Sequence, residues 1–527
     1  MASRIPGQPR VASCRCRWVQ SSRWFLLALV VWLLCTAAFV TPTLGDLGGD
    51  SAQYLMLADA LGRGAGYVDA HLPDAPPHVH YPPGFAALLA PVVALCGVHA
   101  YLVVKLLLVA AMAFGFWCAF RFLRARAGDV VALWAVVLAM SAPTFALDGG
   151  RIRSEAVLLP LLYLTLAAAE TSSGSGAGRA RVWGLAVAAT LVRLAAAPLL
   201  LLPGLCAWSR GRVRALGWFA AGALPLVLWF LWTRLAAHGG TQDYATEVAA
   251  SPLLAGGVAG ALRWVAEGLW LYGRGPGWIL AHAPVGWLGD VLMVPVTALW
   301  LVGLGRRLWQ GARPAEVFLV LELLALAAAP QREGRYVTPL LPLFALYVVE
   351  AVQWLAARLP RVRVPLVPAS AAALVFVHLL ALAPLMERRL KGRVVRAPGG
   401  VALQPVDMAQ WEEGILQGDD PDGEARVLSA ASLLQLAEWI RTRLPADAVL
   451  CSRFDRTLAL LTGRRVVPLP AARTGREALA ALQARGVTHV VDDGRMLDTR
   501  RFLDRLREAG DPPAVTTLRT ARCLTLP

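Results

Sequence analysis

Long apolar runs alternate with short polar and basic segments between residues 24 and 386. A helix needs about 20 predominantly apolar residues to cross a bilayer, and by that measure the pattern predicts about eleven spans. In chain order they are Trp24–Leu44, Ala100–Phe120, Val130–Leu147, Ala156–Ala169, two short spans within Trp183–Trp208, Trp218–Ala236, one ending at Gly305, one ending at Pro330, one following Tyr336, and Pro365–Met386. The expected fold class is a polytopic α-helical membrane protein.

Basic residues mark one side of this alternation. Residues 1–23 carry several arginines, and further basic clusters follow the second, fourth, sixth, eighth and tenth predicted spans. Lys and Arg are retained in cytoplasmic segments of multi-pass proteins. The pattern therefore predicts a cytoplasmic N-terminus, an extracytoplasmic first loop over residues 45–98, and a C-terminus delivered outside.

The last part of the chain, residues 387–527, has a different pattern. Its apolar runs shorten to strand length and alternate with amphipathic helical segments, which predicts a small extracytoplasmic α/β domain. No Gly-rich phosphate fingerprint follows any of these strands, so we expect no nucleotide site there.

Composition supports the membrane assignment. The 527 residues are 57% hydrophobic and 16% charged, which is typical of a protein embedded in a lipid bilayer. The formal charge of +16 resides in short clusters between apolar runs. It therefore indicates membrane topology, and we expect no nucleic-acid partner.

The first predicted outside loop concentrates polar chemistry at the end of a span. It contains Asp46 and Asp50, then His71, His78 and His80. The histidine spacing matches no standard zinc site. We therefore assign no metal ligand and no cofactor, and a divalent metal stays open as an alternative.

Other polar residues interrupt apolar sequence on the same predicted side. They are Arg151, Arg153, Glu155, Arg193, Arg335 and Tyr336. A carboxylate can accept the proton of an attacking hydroxyl, and arginines can bind and neutralise a phosphate leaving group. Acids and arginines converging on one side predict an active cavity there.

Several strings resemble one family in the same order along the chain. GGDSAQYLMLADALGRGAGY and HYPPGFAALLAP resemble the first external loop of the GT-C membrane glycosyltransferases, in the bacterial branch related to protein O-mannosyltransferases and lipid A aminoarabinose transferases. GRIRSEAVLLPLLYL, LVRLAAAPLLLLP and GRYVTPLLPLFALYV continue the resemblance, which covers residues 24 to 390.

The resemblance implies inverting transfer of a sugar from a polyprenyl-phosphate donor to an acceptor hydroxyl at the outer face of the plasma (inner) membrane. It implies catalytic roles for Asp50, as general base, and for Glu155, which would orient the acceptor or the sugar. The implied substrate-binding residues are Asp46, Tyr54, His80, Tyr81, Arg151, Arg153, Arg193, Arg335 and Tyr336. The sugar, the acceptor and the carrier lipid are not determined by the sequence.

Two other functions fit the same residues. A transporter or flippase of lipid-linked saccharide would also place ionisable residues in a membrane cavity. A non-catalytic binder could keep the fold, because Ser51 stands where many relatives carry a second acid.

Overall fold

The structure is a computed structural model in which most of the chain is described. The described residues are 11–42, 44, 50–172, 175–208, 211–236, 248–249, 251–283, 286–358, 366–391, 395–396, 402–403, 436–470, 472, 474–492, 502–506, 514–518 and 521–525.

Helices make up most of the described residues between 11 and 391. They are α1 (Val11–Ala37), α2 (Asp50–Gly62), α3 (Gly84–Cys96), α4 (Tyr101–Ala127), α5 (Asp129–Ser141), α6 (Pro143–Asp148), α7 (Glu155–Thr171), α8 (Gly176–Val192), α9 (Leu202–Trp208), α10 (Arg212–Ala236), α11 (Pro252–Ala255), α12 (Gly257–Leu280), α13 (Gly286–Gly311), α14 (Pro314–Ala328), α15 (Leu341–Ala356) and α16 (Leu366–Lys391), with 3₁₀ helices at Leu194–Leu201 and Gly334–Leu340.

Six helical segments in the described part of the chain are long and apolar enough to cross a membrane. They are Gln20–Ala37, Tyr101–Ala127, Arg212–Ala236, Trp287–Gly311, Gly334–Ala356 and Leu366–Glu387. Shorter apolar helices accompany them at Gly84–Cys96, Asp129–Ser141 and Leu194–Trp208. The molecule is therefore mostly helical and suited to multiple passes through a bilayer.

Two predicted spans differ from the helices observed. The first span was expected to continue to Leu44, whereas α1 ends at Ala37, shortly before Pro42, which disfavours helical backbone at the preceding residue. The predicted span Val130–Leu147 is divided at Ala142, whose ψ of 127° is extended. Pro143 follows it and begins α6, so the proline accounts for the break as well.

The apolar run Trp183–Trp208 breaks where the sequence predicts. Arg193 ends α8 with extended backbone, φ −155° and ψ 124°, and a 3₁₀ helix and α9 follow. Pro198 interrupts the regular α-helical hydrogen-bond pattern in that 3₁₀ segment. The break turns Arg193 toward residues of other helices.

A buried cluster of charges joins the ends of α4 and α7 to the start of α14 and to α15. Arg126 at the end of α4 makes ion pairs with Glu170 of α7 and Glu316 of α14. The Tyr347 hydroxyl of α15 donates a hydrogen bond of 3.2 Å to Glu316. Breaking a buried pair costs about 3–5 kcal/mol, so this cluster holds four helices in fixed register.

Residues 436–525, here called the C-terminal unit, form helices around a five-stranded sheet. Its helices cover 436–443, Asp455–Thr462 (α18, counting 436–443 as α17), Gly475–Ala484 (α19) and 502–506. Its strands are β3 (Val449–Cys451), β4 (Arg465–Val467), β5 (His489–Asp492), β6 (Ala514–Leu518) and β7 (Ala521–Thr525), and a separate short hairpin pairs β1 (Val395–Arg396) with β2 (Ala402–Leu403). The strand order is β4-β3-β5-β7-β6, with β3 parallel to β4 and β5, and β7 antiparallel to β5 and β6.

The C-terminal unit rests on the loop that follows α2. The backbone N–H of Val466 donates to the carbonyl of His71 at 2.9 Å. Leu72 packs against the apolar core of the unit, and Leu460 of α18 belongs to the core of the helical bundle. These contacts fix α18 above the start of α2.

We expect Gly303→Ala to destabilise the protein by about 1–3 kcal/mol, the usual cost of overpacking a tight contact. A methyl group at Gly303 of α13 would collide with the backbone of Tyr347 in α15. Gly305 is the matched control, because a methyl group there meets no atom within 4 Å. Thermal unfolding in detergent measures the effect, and equal melting temperatures for the two variants would show that α13 and α15 do not approach as described.

Candidate active site

Asp50 begins α2, and its carboxylate makes an ion pair and a short hydrogen bond. Its Oδ2 lies 2.7 Å from an Nη2 of Arg335, and its Oδ1 accepts a hydrogen bond of 2.7 Å from the Tyr81 hydroxyl. Burial alone would raise the pKa of Asp50, but the Arg335 charge and the Tyr81 hydrogen bond outweigh it and hold the pKa below its ordinary value. Asp50 is therefore an ionised carboxylate at neutral pH.

Ser51 fixes the start of α2 against the segment before α7. Its Oγ lies 3.2 Å from both the backbone nitrogen and the carbonyl oxygen of Ile152. The side chain is fully buried. A carboxylate at this position would be buried away from water. Ser51 instead links the start of α2 to the backbone of Ile152.

Glu155 lies behind the arginines of the site. Its Oε2 is 3.1 Å from Nη1 of Arg193, and its Oε1 is 3.8 Å from Nε of Arg335. The same Arg193 nitrogen donates to the Ser154 hydroxyl at 2.9 Å. Glu155 thus contacts both arginines, and Asp50 contacts Arg335 from the loop side.

Aromatic rings complete the walls around these charges. Tyr54 lies one helical turn beyond Asp50, and its ring centroid is 5.0 Å from that of Tyr81. His80 meets Tyr81 edge-on at 4.6 Å, and the Arg193 guanidinium lies 4.8 Å from the ring centroid of Tyr336. Rings of this kind can stack on the apolar face of a sugar or cover a lipid headgroup.

A buried hydrogen-bond chain positions Tyr81. The Tyr81 backbone N–H donates to Nε2 of His78 at 2.9 Å, so His78 carries its proton on Nδ1, which lies 2.7 Å from Asp69. Gln53 of α2 donates to the same Asp69 oxygen at 2.8 Å. These hydrogen bonds tie the loop after α2 to α2 itself and direct the Tyr81 hydroxyl to Asp50.

These groups surround a cavity of about 560 Å³. The predicted residues that line it are Asp50, Tyr54, His80, Tyr81, Arg193, Arg335 and Tyr336. Apolar residues of α14 and of the 3₁₀ helix after Arg193 form the remaining wall, among them Ala325 and Pro198. The cavity is large enough for a sugar with its phosphate, and its wall holds Asp50 and the arginines side by side.

The other predicted residues lie elsewhere. Arg151 and Arg153 are buried beside Asp148, at 3.9 Å and 3.1 Å, and neither belongs to the cavity wall described above. Asp46 lies outside the described residues. Among the described residues no group of three or more His, Cys, Asp or Glu side chains is arranged to hold a metal ion.

Comparison with known proteins shows the fold. No family model and no curated protein matches the sequence. ArnT from Cupriavidus metallidurans, in a crystal structure bound to undecaprenyl phosphate, superposes with a TM-score of 0.53 at 14% identity, over 96% of this chain and 98% of that chain. Its apo structure gives 0.54 with the same identity and coverage. The chain has the fold of ArnT.

ArnT is a lipid A aminoarabinose transferase with the GT-C fold. The fold implied by the first-loop strings and by the motifs after them is thereby confirmed. In this ArnT-like fold Asp50, Arg193 and Arg335 come from three separate segments of the chain and converge on one cavity.

Sequence reasoning missed Arg456, which the ArnT-like fold brings to the same cavity. Its Nη1 donates to the Tyr81 hydroxyl at 3.3 Å. Arg456 belongs to α18 of the C-terminal unit. Charged residues are common in such amphipathic helices, so the sequence around Arg456 gives no signal of function. Asp69 and Glu333 were also missed, and Glu333 forms an ion pair with Arg335.

We expect protonation of His80 to destabilise the fold in acid. Burial, assisted by the Arg456 charge, lowers the pKa of His80 from 6.5 to about 4. Between pH 6.5 and about 4 the unfolded chain therefore binds more protons at His80 than the folded protein does. The stability that is present above pH 6.5 is lost progressively as the pH falls toward 4. The melting temperature of His80→Gln should fall less than that of the wild type over this range, and parallel curves would contradict the assignment.

Proposed function

We propose that the protein is an inverting glycosyltransferase that moves a sugar from a polyprenyl-phosphate donor to an acceptor hydroxyl at the extracytoplasmic face. The observation that carries the proposal is the ionised Asp50 held between Arg335 and Tyr81 at the wall of the cavity. This arrangement offers a proton acceptor beside groups that neutralise a leaving phosphate.

Arg335 and Arg193 supply the donor side in this proposal. A guanidinium presents its donors as a fork that matches phosphate oxygens, and it stays charged at any physiological pH. The ArnT structure was solved with undecaprenyl phosphate, which supports a lipid phosphate as the ligand of the same fold here. The carrier, the sugar and the acceptor are parts of the proposal that binding and transfer experiments must determine.

The reaction exchanges one bond for another at the anomeric carbon. The acceptor oxygen forms a bond to that carbon on the face opposite the phosphate, the carbon–oxygen bond to phosphate breaks with its electron pair, and the hydroxyl proton passes to Asp50. The products are the glycosylated acceptor and the polyprenyl phosphate. One displacement inverts the anomeric configuration.

Donor binding also makes Asp50 a better base. Arg335 lies 2.7 Å from Asp50 and keeps its carboxylate a weak base. A phosphate that takes hydrogen bonds from Arg335 weakens this ion pair and adds negative charge, and both changes raise the proton affinity of Asp50. The acid then becomes active when the donor is in place.

Glu155 acts as a positioning residue in this proposal. It is 5% exposed and contacts Arg193 and Arg335 from behind the cavity wall. A buried carboxylate between two arginines offsets their mutual repulsion and fixes both forks. The orientation of acceptor or sugar then depends on Glu155 through these arginines.

The membrane arrangement is part of the proposal. We infer about eleven spans of a plasma-membrane protein, with a cytoplasmic N-terminus and the C-terminal unit outside, from the apolar runs of the sequence and the basic loops between them. The amphipathic helix α12 would lie along the outer interface. The cavity would then open near the outer leaflet, where a lipid-linked donor is accessible.

Asp50→Asn tests the proposal with Asp59→Asn as its control. We expect Asp50→Asn to lower sugar transfer by about 10²–10⁴-fold, because the amide cannot take the proton. Asp59 is on the same helix and pairs with Arg63, so its variant should keep wild-type activity. Transfer of radiolabelled sugar from a panel of polyprenyl-phosphate sugars to a membrane extract, with protein reconstituted in lipid, is the measurement.

Three outcomes would contradict this proposal in whole or in part. Undiminished transfer by Asp50→Asn would retain the enzyme and reject its base. A folded wild type that binds lipid-linked sugars but transfers none would favour the non-catalytic binder. A wild type that moves them across vesicles without a glycosylated product would favour a flippase.

A further inference from the structure

The C-terminal unit supplies an arginine to the cavity wall. Arg456 lies in the first turn of α18, beside Tyr81, and its guanidinium carbon is 5.8 Å from the centroid of the Tyr81 ring. One of its nitrogens donates to the Tyr81 hydroxyl, which in turn donates to Asp50. Two hydrogen bonds through the Tyr81 hydroxyl thus connect Arg456 to the ionised acid.

The charge balance of Arg456 differs from that of the two membrane arginines. Arg335 already pairs with Asp50 and with two glutamates, and Arg193 pairs with Glu155. Within the part of the chain that the structure describes, no carboxylate oxygen lies within 4.0 Å of the Arg456 guanidinium. An anion entering the cavity must compete with existing ion pairs at Arg193 and Arg335, whereas at Arg456 it meets a guanidinium that donates to the Tyr81 hydroxyl.

Contacts of the C-terminal unit with the first loop hold Arg456 in this place. Asp455, the neighbouring residue, has its Oδ2 at 3.7 Å from Nε2 of His71. The backbone of Val466 binds the carbonyl of the same histidine, and Leu72 enters the apolar core of the unit. The position of the guanidinium therefore depends on the docked unit.

We propose that Arg456 is a binding residue for the phosphate group of the lipid donor, so that the C-terminal unit completes the donor site of the membrane domain. The proposal rests on the function proposed above, whose arginine side it extends. Four N–H groups of the guanidinium remain for a ligand beyond the one that Tyr81 accepts. A phosphate bound there would lie on the cavity side of Tyr81 and reach Arg335 across Asp50.

Equilibrium binding to the full-length protein in nanodiscs tests this inference. The ligands are undecaprenyl phosphate and, as the uncharged comparison, undecaprenol. The variants are Arg456→Ala, Arg456→Lys and, as the matched control, Arg476→Ala, which removes an exposed arginine from α19 of the same unit.

We expect Arg456→Ala to weaken binding of undecaprenyl phosphate about tenfold or more, because charge-assisted hydrogen bonds to phosphate are lost. Binding of undecaprenol should not change, Arg456→Lys should retain part of the affinity, and Arg476→Ala should equal the wild type. Undecaprenyl phosphate affinity unchanged in Arg456→Ala overturns the proposal. An equal loss for undecaprenol also overturns it, because it would indicate that Arg456 only supports the docked unit.

Two further arms separate the sources of phosphate and the two proposals. Inorganic phosphate alone should compete weakly, and competition as strong as that of the lipid would overturn the assignment to a lipid headgroup. Binding can be measured without sugar transfer, so the two proposals can fail separately. If the wild type binds undecaprenyl phosphate through Arg456 but transfers no sugar, the proposed enzyme is contradicted and the proposed phosphate site stands. If the wild type transfers sugar and Arg456→Ala binds undecaprenyl phosphate as the wild type does, the enzyme stands and the phosphate site is contradicted.

Discussion

The contact between Asp50 and Arg335 joins the first loop to a late helix of the bundle. Asp50 begins α2, and Arg335 lies in the 3₁₀ turn before α15, so the ion pair closes a large part of the chain on itself. Both groups are mostly withdrawn from water, and removing one partner of such a pair costs about 3–5 kcal/mol. Tyr81 and Glu155 are arranged around this pair, which makes it the reference point of the cavity.

In the proposed function, the same charges give the site its reactivity. Carboxylates and arginines alternate from Asp50 through Arg335 and Glu155 to Arg193, and in a water-poor cavity each charge acts strongly on the next. A phosphate bound as proposed would therefore change more than its own contacts, because it would redistribute the partners of Arg335. Preorganised charges of this kind stabilise a transition state without reorganising during the reaction.

Two structural supports keep this arrangement in place. At the far end of the bundle, Arg126 binds acids of α7 and α14, two helices that also border the cavity region at their other ends. On the loop side, the Asp69–His78 pair directs Tyr81, and the C-terminal unit packs on His71. The loop after α2 is thus held by its own buried hydrogen bonds and by the C-terminal unit.

The sequence by itself determined the membrane character, the break at Arg193, and Asp50, Arg193 and Arg335 as candidates for one site. Apolar run length and ionisable residues beside apolar segments carry the membrane character and the break directly, and the family resemblance implied the roles of Asp50, Arg193 and Arg335. Tertiary structure decided that Arg151 and Arg153 turn to Asp148, that Glu155 lies behind the arginines, and that a residue of the C-terminal unit reaches the cavity. Local patterns report the environment of a segment, whereas the direction and partner of a charged side chain depend on which distant segments pack beside it.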